Sequence, residues 1–445
     1  MEPTIEQMIE VAVNVVVRVA LNVIANVAVG LHVAEEVSEV VIIVVPEVIV
    51  LEVFVGPEIV VMLEVVTILV LDVAGTEEVL VVGDNGEDDS SGCEALLERP
   101  GVGDFARGYD TRVNGMASHF VWTNRSKESF ALDLKNPRDL KVLKKILLQA
   151  DIMVQNLAPG AAERLGLSHE ELQKTNSGII VCDISGYGSH GPYRDKKAYD
   201  LLVQSEAGML SVTGSEAEPS KTGISIADIA AGMYAYSNIL AALLERGKTG
   251  KGRRIDISML ESMAEWMSFP MYYAFDGQPG PSRAGASHAT IYPYGPFETG
   301  TDGASVMMGV QNEREWAILC RDVLGDASLA TDERFVNNTL RSRNREELKK
   351  IICARFSELS ADEVIEKLDK AGIANASMND MQGVWKHPQL RARKRWIDVE
   401  TPSGLVTGLL PPGVDDISQV NIAEVPAVGQ HNEAIFAEFG LSEEE

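Results

Sequence analysis

Along residues 138–258 the apolar positions alternate between a helical and an extended spacing. Leu140, Leu143, Ile146 and Leu147 recur at helical intervals and predict a helix over 138–150. The run Asp151-Ile-Met-Val-Gln-Asn then reads as a strand, followed by a Pro-Gly turn and a helix closed at Leu165 by Gly166. Ser168-His-Glu-Glu has the spacing of a capping box and predicts another helix start. Gly178-Ile-Ile-Val-Cys-Asp-Ile-Ser is a second strand, running into the loop Gly186-Tyr-Gly-Ser-His-Gly-Pro-Tyr. A long helix is expected over 228–246, stopped by Gly247, then a strand at Arg254-Ile-Asp-Ile-Ser and one helix over 259–271. Apolar, β-branched strands separated by helices imply an α/β fold whose parallel sheet is covered on both faces. Ligands of such sheets sit at the carboxyl ends of the strands, which places Asn156 and the 185–193 loop at a binding edge. Residues 276–296 read as loop, 297–374 as a small α+β unit, and a helix over 432–439 as a return to the first domain.

The first 92 residues have a different texture. Val fills 28 of the first 82 positions, with few turn residues, and residues 83–92 read as an exposed acidic linker. Arg18, Glu35, Glu36, Glu39, Glu47, Glu52 and Glu64 interrupt the apolar runs too often for a membrane span, and no basic n-region of a signal peptide is present. The expectation is that residues 1–92 are not the natural front of this domain, a texture that a wrong-frame or mis-started translation would produce.

The 445 residues carry a formal net charge of −27. Residues 1–98 contribute 19 acids and a single base, Arg18, so the remainder is only mildly acidic. Phosphates would be repelled, which excludes nucleic acid and an anionic membrane surface as partners. Cys93, Cys182, Cys320 and Cys353 are scattered, without CxxC pairs or His at ligand spacing. No disulfide framework, metal site or resident redox cofactor is therefore expected, and a reducing, cytoplasmic compartment is the natural reading. Cys182 is expected to be a buried strand residue.

Asp228 carries the candidate chemistry. It opens the small-residue run Asp-Ile-Ala-Ala-Gly-Met-Tyr-Ala, where the unpaired amides and the positive end of a helix would keep a carboxylate ionised at neutral pH. An ionised, sheltered carboxylate is a nucleophile toward an activated acyl group; an ordinary helix cap is the alternative.

Several motifs stand in a fixed order: Glu98-Arg-Pro-Gly-Val-Gly-Asp, Asn124-Arg-Ser-Lys-Glu-Ser-Phe-Ala-Leu-Asp-Leu-Lys, Gln155-Asn-Leu-Ala-Pro-Gly-Ala-Ala-Glu-Arg-Leu-Gly and Ser185-Gly-Tyr-Gly-Ser-His-Gly-Pro-Tyr. Ala198-Tyr-Asp, Ala227-Asp-Ile-Ala-Ala-Gly, Lys248-Thr-Gly-Lys-Gly and Pro426-Ala-Val-Gly-Gln-His complete the series. From Glu98 onward the chain thus resembles the family III CoA-transferases, the group of formyl-CoA:oxalate and carnitine CoA-transferases. The resemblance implies a Rossmann-like large domain over 99–247, linker helices over 248–279, a small domain over 280–375 and a return to the large domain over 376–445. It implies an intertwined homodimer with the active site between the large domain of one chain and the small domain of its partner.

Asp228 matches the family's catalytic aspartate, which passes through an aspartyl-acyl anhydride and an aspartyl-CoA thioester. Arg99, Leu132, Lys135, Asn156, Leu157, Ala161, Arg164 and Lys197 match CoA contacts. CoA enters as part of the substrate, and the second substrate is a small carboxylic acid. Residues 283–297 resemble members that use succinyl-CoA and C4–C6 dicarboxylic acids, with Arg283 or His288 as the cation for a second carboxylate. Nothing in residues 1–92 matches the family's first βα unit, so the CoA site is expected to lack a wall and the sheet its first strands. Acyl-CoA racemases share the fold but carry a His-containing run where this chain has Lys196-Lys-Ala-Tyr-Asp-Leu-Leu, and His190 sits several residues early. A racemase or an inert CoA-binding relative is the alternative.

Overall fold

The computed structural model describes residues 40–45, 48–53, 79–83, 93–300, 303–414 and 422–441. The expectations for the front of the chain and for the acidic linker lie largely outside these residues. The chain divides into two compact units, Met1–Val65 and Val66–Glu445. In the first, β1 (Val40–Val45) and β2 (Val48–Val53) form an antiparallel hairpin.

The second unit is α/β. Its main sheet contains β3 (Val79–Gly83), β4 (Cys93–Glu98), β5 (Glu128–Ala131), β6 (Ile152–Gln155), β7 (Ile180–Ser185) and β8 (Arg254–Ser258), in the order β5-β4-β3-β6-β7-β8. β4 runs parallel to β5, and β6, β7 and β8 run parallel to one another. β3 is antiparallel to both of its neighbours, β4 and β6. This corrects two expectations: the sheet is mixed, and the atypical front segment supplies one of its central strands. The cause is the length of the connection. Residues 84–92 are too few for a parallel crossover, which takes about a dozen residues or more, so β3 and β4 close as a hairpin with Gly83 opposite Cys93.

The helices follow from their own residues. In α1 (Pro137–Ile146), the Asn136 side chain caps by accepting from the Arg138 N–H, Pro137 fits the first turn, and Val142, Leu143 and Ile146 are buried. Leu147 is buried just beyond the helix end. A short helix, α2 (Ala161–Leu165), follows β6. Ser168 does not form its expected capping box; its side chain makes no cap hydrogen bond. α3 (Asp200–Glu206) and α4 (Ile226–Thr249) come next, and α4 packs on β7 and β8. α4 runs through Gly247 and ends at Gly250, whose left-handed backbone lets its N–H bond the Arg246 carbonyl. α4 is also the one described helix long and apolar enough to cross a membrane, and half of it is buried against the rest of the chain.

The single helix expected over 259–271 is two helices, α5 (Met259–Trp266) and α6 (Ser268–Tyr273). Pro270 accounts for the break: it lacks an N–H, and its ring would strike the carbonyl four residues earlier, at Trp266.

A second core is built on β9 (Tyr294–Glu298), β10 (Ser305–Gly309) and β11 (Ala374–Ser377), antiparallel in the order β11-β10-β9. Phe297, Trp316, Phe335, Leu348 and Phe356 fill it, together with side chains of α7 (Arg345–Phe356) and α8 (Ala361–Ala371). α9 (Asn432–Glu438) returns to the main sheet, where Ile435 and Phe436 pack with Phe130. The Asn432 amide brackets the outer edge of β5, accepting from the Ala131 N–H at 2.8 Å and donating to the Ala131 carbonyl at 3.2 Å. His431 does the same at Ser129, its Nδ1 accepting the amide and its own N–H donating to the carbonyl. The tail therefore occupies groups that an edge strand would otherwise leave open.

Candidate active site

β4 to β8 all end on one edge of the sheet, β3 running the opposite way, and the predicted CoA residues leave from that edge. Arg99 follows β4, Leu132 follows β5, and Asn156 and Leu157 follow β6. Leu132 is buried and its N–H bonds the Glu98 carbonyl at 3.0 Å, joining the ends of β4 and β5. Gln155 fixes the turn after β6, its Oε1 accepting the Leu157 N–H at 2.8 Å and its Nε2 donating to Asp183 Oδ1 at 2.8 Å. Arg254 Nε completes this chain across three strands by donating to Asp183 Oδ2 at 2.6 Å. Ala161 starts α2, one turn before Arg164, whose Nη1 reaches the Pro159 carbonyl at 3.4 Å. Arg99, Lys135, Arg164 and Lys197 are exposed, with the Arg99 guanidinium 4.0 Å above the Phe105 ring. The edge thus presents cations suited to a polyanionic ligand.

β7 delivers the chain to α3 through a contact without spare room. A Cβ on Gly186 would lie 2.1 Å from the Ala198 Cβ, so only glycine permits this approach. Two residues on, Asp200 Oδ1 accepts the Ala227 N–H at 2.8 Å, and its Oδ2 accepts from Gln204 Nε2 at 2.6 Å. Gln204 Oε1 in turn takes the N–H and hydroxyl of Thr222, at 3.2 and 2.9 Å. α3 therefore holds the start of α4 in place. Neither Asp200 nor Gln204 was assigned a role from sequence. Asp200 lies in the Ala198-Tyr-Asp motif, but its partner is far along the chain.

Asp228 is the third residue of α4; Ser225 occupies the cap position and makes no side-chain cap bond. The Asp228 side chain is 5% exposed, and Oδ1 has no hydrogen-bond partner among the described residues. Burial, and after it the negative charge of Asp200, push its pKa up to about 8. The expectation of a carboxylate ionised at neutral pH is thereby corrected. A helix N-terminus favours an anion by about 2 kcal/mol at most. A displacement of this size corresponds to roughly 6 kcal/mol, so burial outweighs the dipole.

The loop after β7 is anchored by Ser189, which donates to the Asp256 carboxylate, while His190 is exposed. Lys196 pairs with Glu206 and lies over the rings of Tyr193 and Tyr187, at 4.2 and 5.2 Å. Arg283 donates to the carbonyls of Ser215 and Glu216, at 2.8 and 2.9 Å. His288 stacks on Tyr294, and its Nδ1 accepts the N–H groups of Thr290 and Ile291 at 3.2 and 3.0 Å. With Nδ1 accepting, the Nε2–H is the donor that the His288 ring can offer a ligand. Among the described residues no group of three His, Cys, Asp or Glu side chains is arranged to hold a metal ion.

Residues 96–432 match the family described as CoA-transferase family III. The chain belongs to that family. Human succinyl-CoA:glutarate CoA-transferase is 32% identical over 353 residues, covering 78% of this chain and 80% of the relative. Acetyl-CoA:oxalate CoA-transferase of Acetobacter aceti is 33% identical over 304 residues, 68% of this chain and 77% of the relative. Among solved structures, a CAIB/BAIF family protein from Brucella suis superposes with a TM-score of 0.68 at 30% identity, covering 78% of this chain and 91% of that one. This member of CoA-transferase family III is thus a CoA-transferase whose family match begins inside β4.

Proposed function

We propose that this enzyme moves CoA from an acyl-CoA donor, succinyl-CoA, to a C4–C6 dicarboxylic acid through covalent intermediates on Asp228. The observation that carries the reading is a buried carboxylate with an unbonded oxygen, at the start of a helix that Asp200 of α3 holds in place. Once ionised, Asp228 attacks the thioester carbonyl, and the CoA thiolate leaves with the bonding pair. The resulting anhydride keeps the acyl group activated. The thiolate attacks the aspartyl carbonyl, expelling the donor acid and leaving an aspartyl-CoA thioester. The acceptor carboxylate attacks that thioester, and the released thiolate takes the new acyl group, which restores Asp228. Shelter from water protects the anhydride from hydrolysis, and a late-ionising carboxylate is the more basic nucleophile.

Arg99, Lys135, Arg164 and Lys197 are assigned to the CoA phosphates, with Leu132, Asn156, Leu157 and Ala161 lining the same edge. The dicarboxylate assignment is supported by the named activities of relatives, succinyl-CoA:glutarate CoA-transferase among them and succinyl-CoA–D-citramalate CoA-transferase of Chloroflexus aurantiacus at 30% identity. Arg283 and the Nε2–H of His288 are the groups proposed to meet the distal carboxylate. We further propose an intertwined homodimer; the exposed aromatic side chains Phe269, Tyr272, Tyr273 and Phe275 on and after α6 support a buried interface there.

The test is to mix the enzyme with succinyl-CoA, quench with hydroxylamine and map the adduct by mass spectrometry. A hydroxamate at Asp228, and CoA exchange into glutarate in preference to monocarboxylic acids, is expected. Undiminished exchange by Asp228→Asn overturns the mechanism.

A further inference from the structure

We infer that Asp200 is a positioning residue for the reaction at Asp228: it caps, from outside, the helix that carries the nucleophile and sets a second negative charge against it. The inference rests on the reading of Asp228 as nucleophile and extends it to a second carboxylate.

The first amides of a helix need acceptors that the helix cannot supply. Ser225 stands at the cap position of α4 and gives none from its side chain. Asp200 gives one instead, to the Ala227 N–H, directly before Asp228 in the chain. Its orientation is doubly fixed, because the other oxygen is held by Gln204, which grips Thr222 on the segment leading into α4. The backbone is fixed as well, through the Gly186–Ala198 contact. Asp200 therefore cannot swing away from α4 without breaking two hydrogen bonds, from the Ala227 N–H and from Gln204 Nε2.

Several charged groups stand on the elements packed against α4. These are Asp200 and Glu206 on α3, Asp183 on β7, Arg254 and Asp256 on β8, and Glu261 and Glu265 on α5. Of these, Asp200 alone opposes ionisation of Asp228, in addition to burial. The chemical consequence concerns the charge change along the reaction. Asp228 gives its proton to solvent, attacks as an anion and becomes neutral in both the anhydride and the thioester. Repulsion from Asp200 bears on the anion and vanishes on acylation, so Asp200 favours the acylated states over the free carboxylate.

Asp200→Asn and Asp200→Ala separate the two roles. Asn keeps a carbonyl oxygen for the Ala227 N–H but carries no charge and gives up the bond from Gln204 Nε2; Ala removes the cap as well. With succinyl-CoA and glutarate, the acid limb of kcat/KM for Asp200→Asn is expected to move about one pH unit or more toward acid, because the like charge is gone. Asp200→Ala is expected to lose at least about tenfold more activity at every pH than Asp200→Asn, because the cap is gone. Asp200→Asn reads the charge even where Asp200→Ala does not fold. Equal activities with an unshifted acid limb overturn the role of Asp200. Hydroxylamine trapping on the wild-type enzyme keeps the two failures apart. An Asp228 adduct with an unshifted limb removes Asp200 alone, whereas no adduct removes the nucleophile and this inference with it.

Discussion

Asp228→Asn makes the enzyme less active and, at alkaline pH, more stable. The folded chain keeps a proton on Asp228 up to about pH 8, whereas the unfolded chain releases it near the ordinary value of 3.8. Between those limits the native state binds the proton and the unfolded state does not, so wild-type stability falls as pH rises. Below the lower limit both states are protonated and Asp228 exacts no penalty; above the upper limit the penalty is complete. Each pH unit removes about 1.4 kcal/mol, and the whole window is worth about 6 kcal/mol as an upper bound. Asn occupies the same space without titrating. Its buried amide lacks a partner where Asp228 Oδ1 lacks one, at a cost of about 1–3 kcal/mol that does not vary with pH. The variant is therefore expected to be no more stable than wild type at pH 5 and to overtake it by pH 8.5. For a chain of this size a gap of about 3 kcal/mol corresponds to about 4 °C. Thermal midpoints of both proteins, measured from pH 5 to 9 at one protein concentration, supply the comparison. Parallel curves refute the reasoning, since they mean that Asp228 titrates alike in the folded and unfolded chain.

Two further predictions concern the scaffold. Arg107→Ala strands the buried Glu98 carboxylate, which accepts from Arg107 Nε at 2.7 Å and Nη2 at 2.6 Å, and lowers stability by about 3 kcal/mol or more. Because Arg107 also donates to the Pro426 carbonyl, amide hydrogen exchange at Ala131 and Gly429 is expected to rise; a melt unchanged from wild type would contradict this. Sedimentation velocity is expected to return a dimer that Phe269→Asp with Tyr272→Asp converts to monomer, and a monomeric wild type would overturn the proposed assembly.

Much of the fold was legible because local and tertiary preferences agree in it. Ile180, Val181 and Cys182 are an unbroken apolar run and are fully buried, as a strand covered on both faces requires. The helix over 138–150 was visible in its periodicity, although its start at Pro137 behind the Asn136 cap and its end at Ile146 were not. Several motifs that signalled the family serve the scaffold. In Lys248-Thr-Gly-Lys-Gly, Gly250 ends α4, and a Cβ on Gly252 would meet the Ile179 carbonyl oxygen at 1.8 Å. Glu98, from the first motif, and Pro426 and Gly429, from the last, meet around Arg107 and Ser129, so two distant motifs form one clamp. The reversed β3 was readable in principle, because the distance from Gly83 to Cys93 is a count along the chain.

The protonation of Asp228 was not readable, for a physical reason. Position in a helix is a local property, and from it the dipole argument predicts an anion. Burial is set by Ala227, Ala230 and Ala231 facing a sheet assembled from distant segments, and the opposing charge is set by Asp200, which reaches α4 only because Gly186 admits Ala198. These tertiary terms are the larger ones, so they reverse the local prediction. The same reversal gives the site its chemistry. A carboxylate that the helix end alone would stabilise is a weak base, whereas one kept neutral until late is ready to be acylated once it ionises.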